Sequence, residues 1–246
     1  MKELLNQTLA EIVTANHEAA SVFEKYHLDF CCKGKRPLLE ACKEKNLPGE
    51  QIAKELNEVI NRSSITDGSL LNYISLTQLC DYIVDTHHAY VRQSSKQISF
   101  YLEKIANKHG LRHPELLQIF KLFTALSEEM TSHMYKEENI LFPRIKELEI
   151  HNTGNVPLGL PASGYIEAPI AVMEHEHDSA GSLLEQIRNK TNDYTPPADA
   201  CTTYGVAFAS LRAFEADLHQ HVHMENNILF PRAVEMIKKL NTLASN

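Results

Sequence analysis

His133 and Glu137 stand four residues apart, and so do His221 and Glu225. Residues four apart lie on one face of a helix, one above the other. Each pair therefore aims an imidazole and a carboxylate at one point, and two such helices face to face can hold paired metal ions. A lone His-x-x-x-Glu arises often by chance. Here both pairs are followed, after one further residue, by the same run: Asn139-Ile140-Leu141-Phe142-Pro143-Arg144 and Asn227-Ile228-Leu229-Phe230-Pro231-Arg232. A shared flank of that length identifies an internal duplication.

Two pairs leave a metal pair short of ligands, so the partner helices must supply more. His87-His88 and His175-Glu176-His177 are the candidates. The repeat spacing of 88 residues relates His87 to His175, just as it relates His133 to His221. Helical periodicity argues differently. Ile170, Met173, His177, Gly181 and Leu184 form one inward stripe, whereas His175 shares a face with Ser179 and Ser182. Val84, His88, Val91 and Ile98 form a comparable stripe. Inward facing outweighs equal spacing, because a connecting loop tolerates a one-residue insertion. The expected ligands are His88, His133, Glu137, His177, His221 and Glu225. Left unpaired and buried, such groups would each cost several kcal/mol (about 2–7 for a neutral polar group). A metal removes that cost, and imidazole with carboxylate suits iron, manganese or zinc. A carboxylate-bridged pair in a helix bundle favours iron. Asp217 and Glu129 each precede a motif histidine by one turn, where either could accept the outer N–H of a ligand or line an access route.

Cys31-Cys32 is the second chemical feature. Lys33, Lys35 and Arg36 beside it favour thiolate, the reactive form. A redox or sulfur-handling role competes with simple packing of two small side chains. Cys42, Cys80 and Cys201 read as ordinary core residues, and His109, His113 and His151 as surface histidines.

The elements that must position these residues are helices. Residues 1–65 carry stop signals at Asn16, Cys31–Gly34, Pro37 and Pro48-Gly49, with short amphipathic runs between them, and predict three or four short helices. A polar linker follows at Asn61–Ser69. Residues 70–246 predict four long helices: Leu76 to Lys108, Pro114 onward, Ile166 onward, and Pro197 to Leu240. Pro143 and Pro231 lie inside the second and fourth and should kink them. A loop is expected over 151–165. The fold class is all-α: a small helical domain, then an up-down-up-down four-helix bundle.

Composition narrows the partners. A net charge of −8 without runs of Lys and Arg disfavours nucleic acid. No apolar run approaches the ~20 residues of a membrane span. The start of the chain turns polar too soon for a signal peptide. Five cysteines are an odd number and argue against a fully paired disulfide framework, so a reducing cytoplasm is the expected setting.

The duplicated segments resemble hemerythrin-like di-iron domains, and the chain as a whole resembles the RIC (repair of iron centres) family. The resemblance extends to Asp29-Phe30-Cys31-Cys32-Lys33-Gly34, to Met173–Asp178, and to Thr195-Pro196-Pro197 followed by Ala200–Thr203. It departs at Lys35, where a small residue is usual. It implies two non-haem irons per chain, carboxylate-bridged and compatible with an oxo bridge, on the six residues named above. It places Glu129 and Glu176 as acids near the site, and gives Cys31 and Cys32 a role in redox or iron transfer. It implies a cytoplasmic stress protein that restores iron–sulfur clusters damaged by nitric oxide or oxidants, by donating iron or reducing nitric oxide. Damaged iron–sulfur proteins and a diatomic ligand, NO or O2, are the implied partners, and a homodimer is plausible. The alternative is an oxygen- or nitric-oxide-binding sensor. Oxygen-carrying hemerythrins use five histidines, against four here. A ferritin-like oxidase would need more carboxylates.

Overall fold

The computed structural model describes residues 2–62, 73–154 and 164–244. Among these the chain is all-α, with one isolated bridge between Thr8 and Pro37. It divides into two compact units, Asp81–Glu147 with Pro161–Leu218, and Met1–Cys80 with Leu148–Leu160 and His219–Asn246.

The elements in chain order are α1 (Lys2–Asn6), α2 (Leu9–Ala15), α3 (Ala19–Lys25), α4 (Leu38–Glu44), α5 (Gly49–Arg62), α6 (Leu76–Tyr82), π1 (Ile83–His88), α7 (Ala89–His109) and α8 (Glu115–Lys136). Then come π2 (Glu137–Leu141), α9 (Phe142–Gly154), α10 (Glu167–Lys190), α11 (Thr202–Met224), π3 (Glu225–Leu229) and α12 (Phe230–Ala244).

The unit around α7, α8, α10 and the first part of α11 is a four-helix bundle whose helix directions alternate. Arg92, near the start of α7, meets Glu138, just past the end of α8. Lys190, ending α10, meets Gln118, near the start of α8. His109, ending α7, lies beside Cys201, just before α11, while His87 meets Asp217 one helix-length away. Ile98, Leu102, Ile105, Ile119, Phe123, Leu126, Leu211 and Phe214 fill the centre, with the Phe123 and Phe214 rings edge to face at 5.3 Å. Burying each such side chain contributes about 1.5–3 kcal/mol, so the apolar stripe holds these helices more than local propensity does.

The other unit contains α1–α5. Five short helices stand where the sequence predicts three or four. The extra division comes from Thr8, whose hydroxyl accepts from Glu11 N–H at 3.2 Å while Glu11 accepts from Thr8 N–H at 2.8 Å. This reciprocal cap ends one run and starts the next. Leu9 and Leu38 N–H donate to the Arg36 and Gln7 carbonyls, closing the loop that carries the vicinal cysteines. Inside it, Asp29 Oδ1 accepts the N–H groups of Cys31, Cys32 and Lys33 at 3.2, 2.9 and 3.3 Å. Gly34 is required there, since a Cβ would lie 2.1 Å from the Phe30 carbonyl oxygen.

This loop is packed on the second copy of the duplicated motif. Asn227 donates to the Cys31 carbonyl at 3.1 Å, and His223 lies edge-on to Phe30 at 5.7 Å and 3.3 Å from Thr14 Oγ1. The sequence reading places a linker between the cysteines and the motif; the two nonetheless pack against each other. The cause is visible in burial. His221 through Asn226 are all buried, as in a helix covered on every side. In the first copy Tyr135, Asn139 and Ile140 are exposed. Of the expected linker, Asn61 and Arg62 finish α5 and the remainder lies outside the described residues. Of the expected 151–165 loop, 151–154 finish α9, 164–165 form a turn, and 155–163 lie outside the described residues.

Pro143 and Pro231 act less as kinks than as markers of a widened turn. Each lacks an N–H, and its ring crowds the carbonyl four residues earlier. The backbone shifts to longer bonds: Phe142 N–H reaches the Glu137 carbonyl and Phe230 N–H reaches Glu225. π1 forms without a proline, with Ala89 N–H on the Val84 carbonyl, and no sequence signal announces it. The arginine after each proline anchors a loop: Arg144 donates to the Tyr165 carbonyl and Arg232 to Ile74.

Candidate metal centre

Each π segment carries or adjoins expected ligands. His88 ends π1, Glu137 opens π2 and Glu225 opens π3. Short π turns within α-helices are frequent at functional sites, because they swing a side chain off the α-helical direction.

In the bundle unit, His88, His133, Glu137 and His177 converge. Their relative exposures run from zero to 1 %. His88 Nε2 lies 3.3 Å from Glu137 Oε2, and His133 Nε2 lies 3.3 Å from Glu137 Oε1. His177 Nε2 and His133 Nε2 are 3.1 Å apart. His175, two residues from His177, is exposed. In the other unit, His221 and Glu225 are both fully buried and pair at 2.9 Å, Nε2 to Oε1.

The outer nitrogens define the state of the inner ones. His88 Nδ1 lies 2.6 Å from Glu138 Oε1, and His133 Nδ1 lies 2.9 Å from Glu176 Oε2. An ionised carboxylate only accepts, so each Nδ1 carries a proton, and a ring that is neutral, as a metal ligand must be, turns its Nε2 lone pair inward. Those lone pairs face the oxygens of Glu137, neither of which receives a hydrogen bond among the described residues. Three sets of acceptors turned on one another in a dry interior need positive charge between them. A divalent cation supplies it to all of them at once, so the donor set fits a metal ion.

The outer carboxylates are held ionised. The hydrogen bond from His133 keeps the Glu176 carboxyl down at about 2; burial opposes this, and contact with Lys136 reinforces it. For Glu138, burial opposes ionisation, but bonds from His88 and Arg92 outweigh it and lower its pKa. A carboxylate behind a ligating imidazole fixes the tautomer and makes the ring a stronger donor.

Glu138 is missing from the sequence reading. Its signal is weak: it follows a ligand directly, and only the π turn brings it to His88. Glu129 is exposed and accepts from Ser179 at 3.0 Å. Asp217 holds His87 rather than a motif histidine, at 3.0 Å.

The cysteine loop also differs from expectation. Cys31 is buried, with its sulfur 3.8 Å from that of Cys32 and 3.3 Å from Asp29 Oδ1. The hydrogen bond with Cys32, together with burial, pushes the Cys31 thiol well above its usual range. Lys33 and Lys35 are exposed and do not offset this. Asp29, Cys31 and Cys32 nonetheless form a cluster compact enough to share one cation.

Among the described residues no helix is long and apolar enough to cross a membrane. The Hemerythrin HHE cation binding domain model matches residues 81–233, and the ScdA N-terminal domain model, a domain of unknown function, matches residues 5–60. Proteins named iron-sulfur cluster repair protein YtfE from Enterobacter sp. and Escherichia coli O157:H7 are each 36 % identical to the chain over 229 residues. The one from Citrobacter koseri is 35 % identical over the same length. Each alignment covers 93 % of this chain and 97 % of the relative. The buried imidazole–carboxylate set, the vicinal-cysteine domain and these full-length similarities together establish that the chain belongs to the RIC (repair of iron centres) family.

Proposed function

We propose that the chain repairs iron–sulfur clusters damaged by nitric oxide or oxidative stress, using two iron ions held by His88, His133, Glu137, His177, His221 and Glu225. The observation that carries the metal assignment is Glu137. It is a fully buried carboxylate whose two oxygens each face an imidazole Nε2, with no hydrogen bond to either oxygen among the described residues. The names of the full-length relatives support the repair role. We read residues 1–65 and 70–246 as the two domains, in line with family matches at 5–60 and 81–233.

When bound, the iron pair supplies Lewis acidity, electrons and open positions for a diatomic molecule such as NO or O2. The protein's own residues supply the remainder. Glu137 and Glu225 would supply the buried carboxylates that hold the irons. Glu138 and Glu176 hold the protons of His88 and His133 and keep those rings oriented. Cys31 and Cys32 accept iron or electrons on the way to a damaged iron–sulfur protein, and iron leaving the site is then substrate rather than cofactor. Activity in the cytoplasm, as a monomer or homodimer, fits this reading. The oxygen-sensor alternative gives no use to a cysteine pair packed on the ligand-bearing motif.

The test compares wild type with the Cys31→Ala/Cys32→Ala variant, measuring iron content and recovery of a nitric-oxide-damaged cluster enzyme under anaerobic conditions. Two irons per chain in both proteins, with recovery lost only in the variant, is the expected result. Recovery no faster than with free iron salts, for wild type itself, would overturn the repair function. Nitrous oxide release from the reduced protein on exposure to nitric oxide tests the reductase activity separately.

A further inference from the structure

Cys201 does not behave as the core residue its sequence context suggests. It is half-buried, and it immediately precedes the 23-residue α11. The first N–H groups of a helix lack helical acceptors and carry the positive end of its dipole. Here the Tyr204 N–H donates to the Cys201 carbonyl at 2.9 Å, which sets the thiol beside the first turn of the helix. From the other side, His109 Nε2 lies 3.2 Å from the sulfur.

The imidazole is held in place. The His109 ring stands edge-on to Tyr204 at 5.8 Å, and Tyr204 is 1 % exposed. His113 packs on the same Tyr204 ring at 5.8 Å and is tied to Asp199 at 3.0 Å. The nearby backbone N–H of Tyr204 lowers the Cys201 pKa; burial opposes it, while Thr203 N–H and the charge of Lys108 add to it. Cys42, by contrast, is buried, and burial pushes its thiol up. A thiol with a fixed base, three positive influences and access from solvent combines what a nucleophilic cysteine needs.

We propose that Cys201 and His109 form a thiol–imidazole pair that captures low-molecular-weight disulfides as a reversible mixed disulfide. His109 takes the proton of Cys201. The thiolate attacks one sulfur of the disulfide, a Cys201–S bond forms, and the original S–S bond breaks. The other half departs as a thiolate and takes the proton from His109. Cys201 is oxidised, the small disulfide is reduced, and excess small thiol reverses the step. The pair is separate from the metal site: His109 is 21 residues beyond His88 along continuous helix, about 30 Å at 1.5 Å per residue. The proposal is independent of the repair function.

The test uses the full-length, iron-loaded protein with substoichiometric dithiodipyridine. Released thiopyridone is followed between about pH 5 and 9, and the modified cysteine is located by peptide mass spectrometry. Cys201 should take the first equivalent, with a midpoint below the ordinary value of about 8.5. His109→Gln should slow the reaction near neutral pH about tenfold and raise the midpoint by about one unit, since one unit changes the thiolate fraction tenfold. Cys201→Ser should abolish the fast phase and leave iron content unchanged. Lys108→Gln, on the exposed side of α7, should give a smaller slowing in the same direction and serves if His109→Gln lowers helicity. First modification at any other cysteine overturns the proposal, as does a wild-type rate and midpoint in the folded His109 or Lys108 variant.

Discussion

Asn227 donates its side-chain N–H to the backbone carbonyl of Cys31 at 3.1 Å, a contact spanning 196 residues of sequence. Asn139, its counterpart in the first copy of the motif, donates to its own helix, to the Tyr135 carbonyl at 2.8 Å. One residue type at one motif position thus does two jobs, docking the cysteine loop in one copy and satisfying a widened helical turn in the other. Asn227→Ala should cost about 1 kcal/mol in denaturant unfolding, the usual net worth of such a bond. It should also speed alkylation of Cys31, which Asn139→Ala should not. Equal alkylation rates in the two variants would show that other contacts hold the loop.

Glu138 and Glu129 separate two roles that the sequence alone merges. Glu138→Ala removes the carboxylate behind His88 and should weaken iron binding about 10–100-fold, the usual effect of losing such an outer partner. Glu129→Ala should leave affinity unchanged, because Glu129 is exposed on Ser179. Competition with a chelator of known affinity measures both. A loss of equal size in the two variants would place Glu129 at the site.

His177→Ala should empty at least one iron position, and His175→Ala should retain both irons. The buried position of His177 and the exposed position of His175 motivate the contrast. Iron analysis after anaerobic purification decides it, and the opposite outcome would reassign the ligand.

Glu149 gives a pH dependence away from the metal. Its carboxylate accepts Leu76 and Thr77 N–H at 2.7 and 2.9 Å, capping α6. Burial opposes ionisation, but the bonds from Thr77 and Leu76 outweigh it and hold the pKa below its ordinary 4.5. A carboxyl with a lowered folded-state pKa contributes its full stability above the ordinary value, and that contribution fades as pH falls below it. Glu149→Gln should therefore lower the melting temperature near neutrality and narrow its gap from wild type in acid. The neutral-pH loss is about 1 kcal/mol, typical of a helix cap. A gap that stays constant into acid would refute the capping role.

Much of the fold is legible in the sequence, because apolar residues at helical spacing mark α7, α8, α10 and α11 directly. The split between α1 and α2 is less so: Thr8 and Glu11 spell a capping box, yet the apolar run around them reads as continuous. The site divides in the same way. Which of His175 and His177 faces inward follows from the stripe through Met173 and Leu184. The role of Glu138 does not, since an α-helix would turn it about 100° away from its neighbour Glu137, and only a widened turn brings it to His88. The packing of Phe30 and Asn227 lies further out of reach, because it joins segments almost 200 residues apart whose local patterns carry no trace of each other.

The widened turns also bear on how the chain tolerates length changes. Each holds one residue more than the α-helical path around it requires. Removing a single residue from Glu137–Leu141 would let the rod close into a regular α-helix, with its backbone bonds intact. The cost would fall on orientation: the segments on either side would turn about 100° relative to each other. The ligands before the turn and the arginine anchor after it could no longer both point where they do. At these points a deletion is gentle to secondary structure and severe for the site, whereas a deletion in an ordinary helix harms both. The motif thus keeps its length for the sake of aim rather than of stability.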